Sequence, residues 1–212
     1  MDRSEWLSAR RKGIGASDAA AIMGLSPYKT NVQLWEEKTG RREPEDILSN
    51  PFVQYGIAAE PHIRDLFALD FPGYAVSYDQ FGMISNNPDL PFAFATLDGD
   101  LISKKDNRRG VLEIKTVEIR RKDQWAKWDG RIPDHYFVQV VHQLLATMYD
   151  FVTLKARIKH YYGDGTPVVT ERHYYIDKAD AADDMALLAI REKEFWSCVK
   201  EDCCPPLLLP EI

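Results

Sequence analysis

The sequence has few cysteines, and those it has lie close together. Cys198, Cys203 and Cys204 all stand near the C-terminus with no histidine beside them. This is not the spacing of a zinc site, so we expect reduced thiols in a cytosolic protein. Long apolar runs are also missing and the N-terminal stretch is polar, which predicts neither a membrane span nor a signal peptide.

An excess of positive charge is missing as well. The 212 residues carry 27 Lys and Arg against 33 Asp and Glu, a formal net charge of −6. A simple nucleic-acid binder usually has a clear cationic excess, so the total argues against that class. DNA as a substrate stays open, because local clusters matter more than the total, and residues 10–12 and 120–122 are each three consecutive cations.

The composition, 45% hydrophobic with 11% aromatic residues, predicts one globular domain over residues 1–212. Periodicity and capping residues predict an α/β (α+β) chain. The predicted elements are a helix over 18–23 with Ser17 as its N-cap, a helix opened by Asn50 and Pro51 and bent or split at Pro61, a helix capped by Asp134, strands over 152–162 and 168–176, and a helix over 178–200.

Residues 94–116 predict a hairpin that carries three charged side chains. Alternation along 111–116 puts Glu113 and Lys115 on one face. With residues 105 and 106 at the tip, paired positions sum to 211, and Asp98 lies opposite Glu113. Like charges about 5 Å apart repel, and a fold tolerates them when Mg²⁺ or Mn²⁺ bridges their oxygens. A bulge at Gly110 would shift this register by one residue.

Three further features have both a structural and a functional interpretation. Arg10 and Ser17 flank a glycine-containing loop before a helix, which is either a capped helix or a phosphate cradle. Glu60 is four residues before Arg64, so it forms either a surface ion pair or a third acid at the metal site. A long apolar helix carries Gln139 and Gln143, whose amides need partners inside the protein or at a site.

An Asp, a Glu and a Lys at one sheet edge suit metal-dependent phosphodiester hydrolysis. The carboxylates would hold one or two Mg²⁺ ions, which neutralise the phosphate and lower the pKa of water. Lys115 would position or deprotonate that water or stabilise the developing charge. The D…ExK pattern alone is short and matches many sequences by chance.

Five motifs in order give a more specific resemblance. They are W-x-x-x-R…GASD at 6–18, YG-x-x-x-E at 55–60, LDG at 97–99, LEIK at 112–115 and YFVQ at 136–139. The chain resembles the lambda-exonuclease-type (YqaJ-like) viral recombinases, or alkaline exonucleases, of the PD-(D/E)XK superfamily. The resemblance implies a restriction-endonuclease-like central mixed β-sheet flanked by helices. Leu97 stands where the family's name motif has proline.

The resemblance also implies roles for individual residues. Asp98, Glu113, the Ile114 carbonyl and Glu60 would bind Mg²⁺, for which Mn²⁺ could substitute. Lys115 and Gln139 would join Asp98 and Glu113 in catalysis. Arg10 and Ser17 would hold the 5′-phosphate of the strand being cut.

The activity so implied is a 5′→3′ exonuclease that releases mononucleotides from linear double-stranded DNA and leaves a 3′ overhang. The family forms ring-shaped homotrimers and acts with a single-strand annealing protein, in the cytoplasm of a bacterial host as a phage or prophage protein. The alternatives are another PD-(D/E)XK nuclease, such as an endonuclease, and a non-catalytic DNA-binding protein of the same fold.

Overall fold

The structure is a computed structural model that describes residues 2–161 and 163–209. The elements in chain order are α1 (Arg3–Arg11), β1 (Ile14–Gly15), α2 (Ala16–Ile22), α3 (Asn31–Lys38), α4 (Pro51–Asp70), β2 (Tyr74–Ser77), β3 (Ala93–Phe94), β4 (Gly99–Ser103), β5 (Arg109–Glu118), α5 (Lys122–Ala126), α6 (Asp134–Thr147), β6 (Phe151–Tyr161), β7 (Pro167–Asp177) and α7 (Ala182–Lys200).

A five-stranded mixed sheet forms the centre, in the order β2-β4-β5-β6-β7. Its central pair, β5 and β6, is parallel, and the other neighbours are antiparallel. Strands β1 and β3 form a separate parallel pair. The predicted mixed sheet flanked by helices is confirmed, as is the predicted second hairpin, which is β6–β7.

The first hairpin has the predicted register. Gly99 pairs with Leu112 and Leu101 with Gly110, so paired positions sum to 211. Gly110 therefore hosts no bulge. It must be glycine for another reason, since a Cβ there would lie 2.2 Å from the Phe151 ring on β6.

Helices cover both faces of the sheet. On one face, Ile63 and Phe67 of α4 pack against Leu101, Leu112 and Phe151 of the strands. On the other face, α6 packs against β5 and β6 and is covered in turn by α2 and α7. This position between layers explains why the α6 sequence is apolar nearly all round. Within the described ranges, no helix is long and apolar enough to cross a membrane.

Two predicted helix caps are wrong, and the helix that contains Pro61 is not split. Helix α2 begins at Ala16 after Gly15, not after Ser17, because the Asp18 carboxylate accepts a hydrogen bond from the Gly15 N–H at 3.0 Å. Asp134 is the first residue of α6 and Pro133 its cap. Helix α4 runs unbroken through Pro61, which removes only one backbone hydrogen bond while the residues that follow are held against the sheet.

Candidate active site

A cleft of about 510 Å³ opens at one end of the sheet, between the start of α4, the β4–β5 hairpin and α6. It brings together residues that are up to 133 positions apart in the sequence, from Trp6 to Gln139. All eight residues predicted for the site line it: Arg10, Ser17, Glu60, Asp98, Glu113, Ile114, Lys115 and Gln139.

Asp98 and Glu113 form the acidic floor of the cleft. The Glu113 residue is 2% exposed on β5, and Asp98 directly precedes β4, opposite it in the register. The Asp98 carboxylate accepts a hydrogen bond from the Ile114 N–H at 2.7 Å. Burial, with the charges of Glu113 and Glu60, raises the pKa of Asp98 well above its usual value. Such a carboxylate is poorly compensated without an added cation.

Three donors converge on the Glu113 carboxylate. The Lys115 ammonium lies 2.6 Å from one oxygen, to which the Gln139 amide donates at 2.7 Å. The Gln143 amide donates to the other oxygen at 2.5 Å, and Lys115 also donates to the Gln139 oxygen at 2.8 Å. Gln143 was not predicted as a site residue. The signal that points to it is the presence of two glutamines one turn apart on a buried helix.

Lys115 is held as a cation. Burial lowers its pKa, but the charges of Glu113 and Asp98 outweigh that effect and the pKa is raised. The ammonium also lies 4.9 Å from the centre of the Tyr136 ring. Nearby, burial and the charges of Lys115 and Lys127 lower the pKa of His135 to about 4. The Lys115 cation therefore stands beside the acidic floor of the cleft.

Arg10 and Ser17 meet at the other end of the cleft. The Arg10 guanidinium donates to the Ser17 hydroxyl at 2.9 Å and lies 4.6 Å above the Trp6 ring. Behind them Asp18 pairs with Lys38 at 2.7 Å. Burial raises the pKa of Asp18, but Lys38 and Arg10 outweigh that effect and lower it. A guanidinium and a hydroxyl side by side suit a phosphate group.

The glycines before α2 have a packing role that the sequence did not reveal. A Cβ on Gly13 would lie 2.4 Å from the Phe92 carbonyl oxygen, and the Gly15 N–H is bonded to Asp18. The Gly15 amide is therefore already occupied by Asp18. The candidate cradle consists of the Arg10 and Ser17 side chains.

The structure places Glu60 beside Arg64 and at the lining of the cleft. It pairs with Arg64 at 3.1 Å, as the i,i+4 spacing predicts, and it also lines the cleft. The pair is not a surface pair, however, because Arg64 is only 9% exposed. Arg64 also donates to the Asp98 carbonyl and lies 3.5 Å from the centre of the Tyr78 ring. Arg64 thus joins α4 to the residue that precedes β4.

The oxygen donors of the cleft suit a hard divalent cation. Glu113 supplies a buried carboxylate and Asp98 a half-buried one. The carbonyl of Ile114, which also lines the cleft, is a candidate third oxygen ligand, and Mg²⁺ prefers such ligands. Among the described residues, no three His, Cys, Asp or Glu side chains already form a metal-binding cluster, and Glu60 is turned to Arg64. The donor set is therefore two carboxylates and a backbone carbonyl, with Glu60 in reach of the cleft.

Comparison with known proteins agrees with this geometry. Residues 5–150 match the YqaJ-like viral recombinase domain family. The chain belongs to that family. Its curated relatives include the uncharacterized protein YqaJ of Bacillus subtilis (strain 168), 35% identical over 147 residues. Those residues make up 68% of this chain and 42% of the Bacillus protein, so the chain spans less than half the length of that relative.

Solved structures with the same fold include exonucleases. The YqaJ-like chain aligns with an alkaline exonuclease, LHK-Exo from Laribacter hongkongensis, with a TM-score of 0.66 at 21% identity, covering 94% of this chain and 93% of the other. LHK-Exo in complex with dAMP aligns with a TM-score of 0.59, at 21% identity and over 93% and 95% of the two chains. A phage-related exonuclease from Haemophilus somnus 129PT aligns at 0.57, with 11% identity over 90% and 96%. At these identities the likeness establishes the fold.

Proposed function

We propose that this YqaJ-like chain is a metal-dependent deoxyribonuclease that degrades linear double-stranded DNA from its 5′ ends, releases mononucleotides and leaves a 3′ single-stranded overhang. The whole chain would act as one nuclease domain. One observation carries the proposal: a single cleft holds a carboxylate–lysine centre and, separately, the Arg10–Ser17 pair. An enzyme that starts from a DNA end needs both a cutting centre and a group that recognises the terminal phosphate.

Asp98, Glu113, the Ile114 carbonyl and Glu60 would hold one or two Mg²⁺ ions, with Mn²⁺ as a possible substitute. A bound divalent ion would neutralise charge on the phosphate and supply a water molecule of lowered pKa. The raised pKa of Asp98, caused by burial and by its acidic neighbours, supports a site that is completed by a cation.

The chain's own residues have distinct proposed tasks. Lys115 stays protonated beside Glu113, so it is suited to stabilising negative charge that develops on the phosphate rather than to accepting a proton. Gln139 joins Lys115 to Glu113 through its two ends. It therefore orients both groups and keeps the ammonium at a fixed place in the cleft.

The Arg10–Ser17 pair separates an exonuclease from an endonuclease. An enzyme that cuts internal bonds has no need of a terminal-phosphate site. We expect the chain to leave closed circular DNA intact and to prefer ends with a 5′-phosphate. Arg10→Ala should lose that preference, whereas cutting of a circular plasmid would favour the endonuclease alternative.

The acidic chain can hold DNA through local positive charge. Residues 119–132 contain five cations and two acids, and the segment joins β5 to α6, the two elements that carry Glu113 and Gln139. Ile119, Trp128 and Ile132 anchor it in the core, while Lys127 faces solvent. Phosphate contacts by such exposed cations give affinity without base specificity.

The family resemblance supports two further partners, a ring-shaped homotrimer of this chain and a single-strand annealing protein. In a ring, the basic segment would face the DNA and the acidic surface the solvent. The mass in solution tests the ring, and a monomer at micromolar concentration would count heavily against it.

The direct test is digestion of a linear 5′-phosphorylated duplex with and without Mg²⁺. We expect nucleotide release from the wild type only with the metal, and loss of about 10²-fold or more in Lys115→Ala, since electrostatic groups at the reacting phosphate contribute on that scale. Lys105→Ala, at the exposed tip of the same hairpin, is the matched control. Undiminished release by Lys115→Ala would refute the proposal, and binding without any metal-dependent release would favour the non-catalytic alternative.

A further inference from the structure

Aromatic rings surround the cleft, and three of them already have a cation on one face. Each of three rings has a cation of the site above it: Trp6 has Arg10 at 4.6 Å, Tyr78 has Arg64 at 3.5 Å and Tyr136 has Lys115 at 4.9 Å. A ring occupied in this way has one face less to offer a ligand. Two rings on the rim have no such cover among the described residues, Tyr28 and Phe52.

Tyr28 is the most exposed large hydrophobic side chain of the described residues, with 79% of its surface open. Its backbone is nevertheless fixed. The Ser26 hydroxyl accepts hydrogen bonds from the N–H groups of Tyr28 and Lys29 at 3.2 and 3.3 Å, and Lys29 pairs with Glu37 at 2.7 Å. The loop thus holds an open aromatic ring in place at the mouth of the cleft.

The Tyr28 hydroxyl is a neighbour of the Tyr136 hydroxyl. Burial raises the pKa of the Tyr136 hydroxyl, and the neighbouring Tyr28 hydroxyl adds to that rise. Tyr136 stands on α6 three residues before Gln139, under the Lys115 ammonium. Tyr28 therefore neighbours the tyrosine that contacts Lys115, while most of its own surface stays exposed at the cleft.

We propose that Tyr28 is the stacking platform for the base of the terminal nucleotide, a subsite distinct from the phosphate-binding groups. The inference rests on the proposed nuclease function for its ligand class. A cleft of about 510 Å³ falls within the range of small-ligand sites, roughly 300–1,000 Å³, and has room for a nucleotide. Stacking suits an enzyme that must accept every base, because each base has a π-face, and loss of one platform typically costs about 5- to 150-fold.

The test compares two duplexes that differ only in the 5′-terminal nucleotide, which is either intact or abasic. We expect Tyr28→Ala to lower kcat/KM by about 5- to 150-fold on the intact end and to leave cleavage of the abasic end unchanged. Tyr28→Phe should keep most of the activity, because the ring does the stacking. Tyr161→Ala, an exposed tyrosine at the end of β6 away from the cleft, is the matched control and should change neither substrate.

A binding measurement keeps this test independent of catalysis. Calorimetric titration with dAMP and with deoxyribose 5-phosphate should give a tighter dAMP complex for the wild type and equal affinities for Tyr28→Ala. Equal losses on intact and abasic ends, or no loss on either, would overturn the proposal, as would a base-dependent loss in Phe52→Ala alone. If cleavage is absent but the base still strengthens binding through Tyr28, the nuclease proposal fails and the stacking site stands. Absence of both overturns both.

Discussion

The Gln143→Leu substitution removes one donor from the candidate centre without changing a charged residue. Gln143 is fully buried on α6, and its amide donates to the second oxygen of Glu113 at 2.5 Å. Leucine fills most of the same space but offers no donor. One oxygen of the carboxylate then loses its partner, while Lys115 and Gln139 still hold the other.

The expected cost in stability follows from two opposing effects. A hydrogen bond to a charged group stabilises a protein by about 1.5–3 kcal/mol. The Gln143 side-chain oxygen, however, is buried with no partner among the described residues, and leucine removes that unfavourable group. We therefore expect a net loss of about 1–2 kcal/mol, which corresponds to a fall in Tm of roughly 2–8 °C for a chain of this size.

The functional effect should exceed the loss of stability. Residues that orient metal ligands typically contribute about 10- to 100-fold to metal affinity or activity. If Glu113 binds the metal, the Mg²⁺ concentration for half-maximal nuclease rate should rise by that factor, with little change in KM for DNA. A titration of rate against Mg²⁺ at saturating 5′-phosphorylated duplex measures it.

Thr147→Val is the control on the same helix. Thr147 is 1% exposed one turn beyond Gln143, and its hydroxyl donates to the Gln143 carbonyl at 2.7 Å, not to Glu113. It should lower Tm by a similar amount and leave the Mg²⁺ midpoint unchanged. An unchanged midpoint in Gln143→Leu, or the same shift in both variants, would show that Gln143 acts on stability alone.

Three other measurements test the electrostatics. Burial and acidic neighbours raise the pKa of Asp98, so the metal-free protein should lose stability as the pH rises from the usual pKa of 3.8 through the raised pKa. Mg²⁺ displaces the proton and should therefore raise Tm more at pH 8 than at pH 5.5. A smaller rise in Tm at pH 8 contradicts this. Glu192→Gln should cost about 1.5–3 kcal/mol because Glu192 pairs with buried His142 at 2.5 Å, whereas exposed Glu194→Gln should cost under about 1 kcal/mol. Burial lowers the pKa of His142, but Glu192 and the Phe94 carbonyl outweigh that effect and the pKa is raised. The loss of stability in Glu192→Gln should therefore be fully present below pH 6.5 and shrink as the pH rises through the pKa of the folded state. A loss of stability that grows with pH would refute the role of this pair. Lys127→Ala should reduce the slope of log affinity for DNA against log salt by about 1, and an identical slope would remove Lys127 from the DNA-binding surface.

Local patterns predicted the hairpin well because its contacts are close in sequence. Alternation and a short polar turn suffice to set the register that brings Asp98 opposite Glu113. The parallel pairing of β5 with β6 is different, since 32 residues separate the two strands. Such a pairing depends on the crossover through α6, and a strand pattern contains no information on its neighbour in the sheet.

Two of the errors of prediction arise from competition for hydrogen-bond partners. Ser17 is a good N-cap by type, but Asp18 takes the bond to the Gly15 amide and the helix starts earlier. Ser17 is thereby left with its hydroxyl toward Arg10. Arg64 has the spacing of a surface partner for Glu60, yet the nearby Asp98 carbonyl draws it inward.

The candidate site could be predicted in part because each acid of the floor requires a partner. The register leaves buried Glu113 facing half-buried Asp98, and charges removed from water must be compensated. Lys115 is found locally, because a strand places it on the same face as Glu113. The amides come from α6, which shares no local pattern with the hairpin. The two glutamines of α6 find their partner only when the helix packs on the sheet, because the Glu113 carboxylate then accepts a hydrogen bond from each of them. Unexplained polar side chains on an otherwise apolar helix therefore mark the face that meets the charge, even where their partner lies far along the chain.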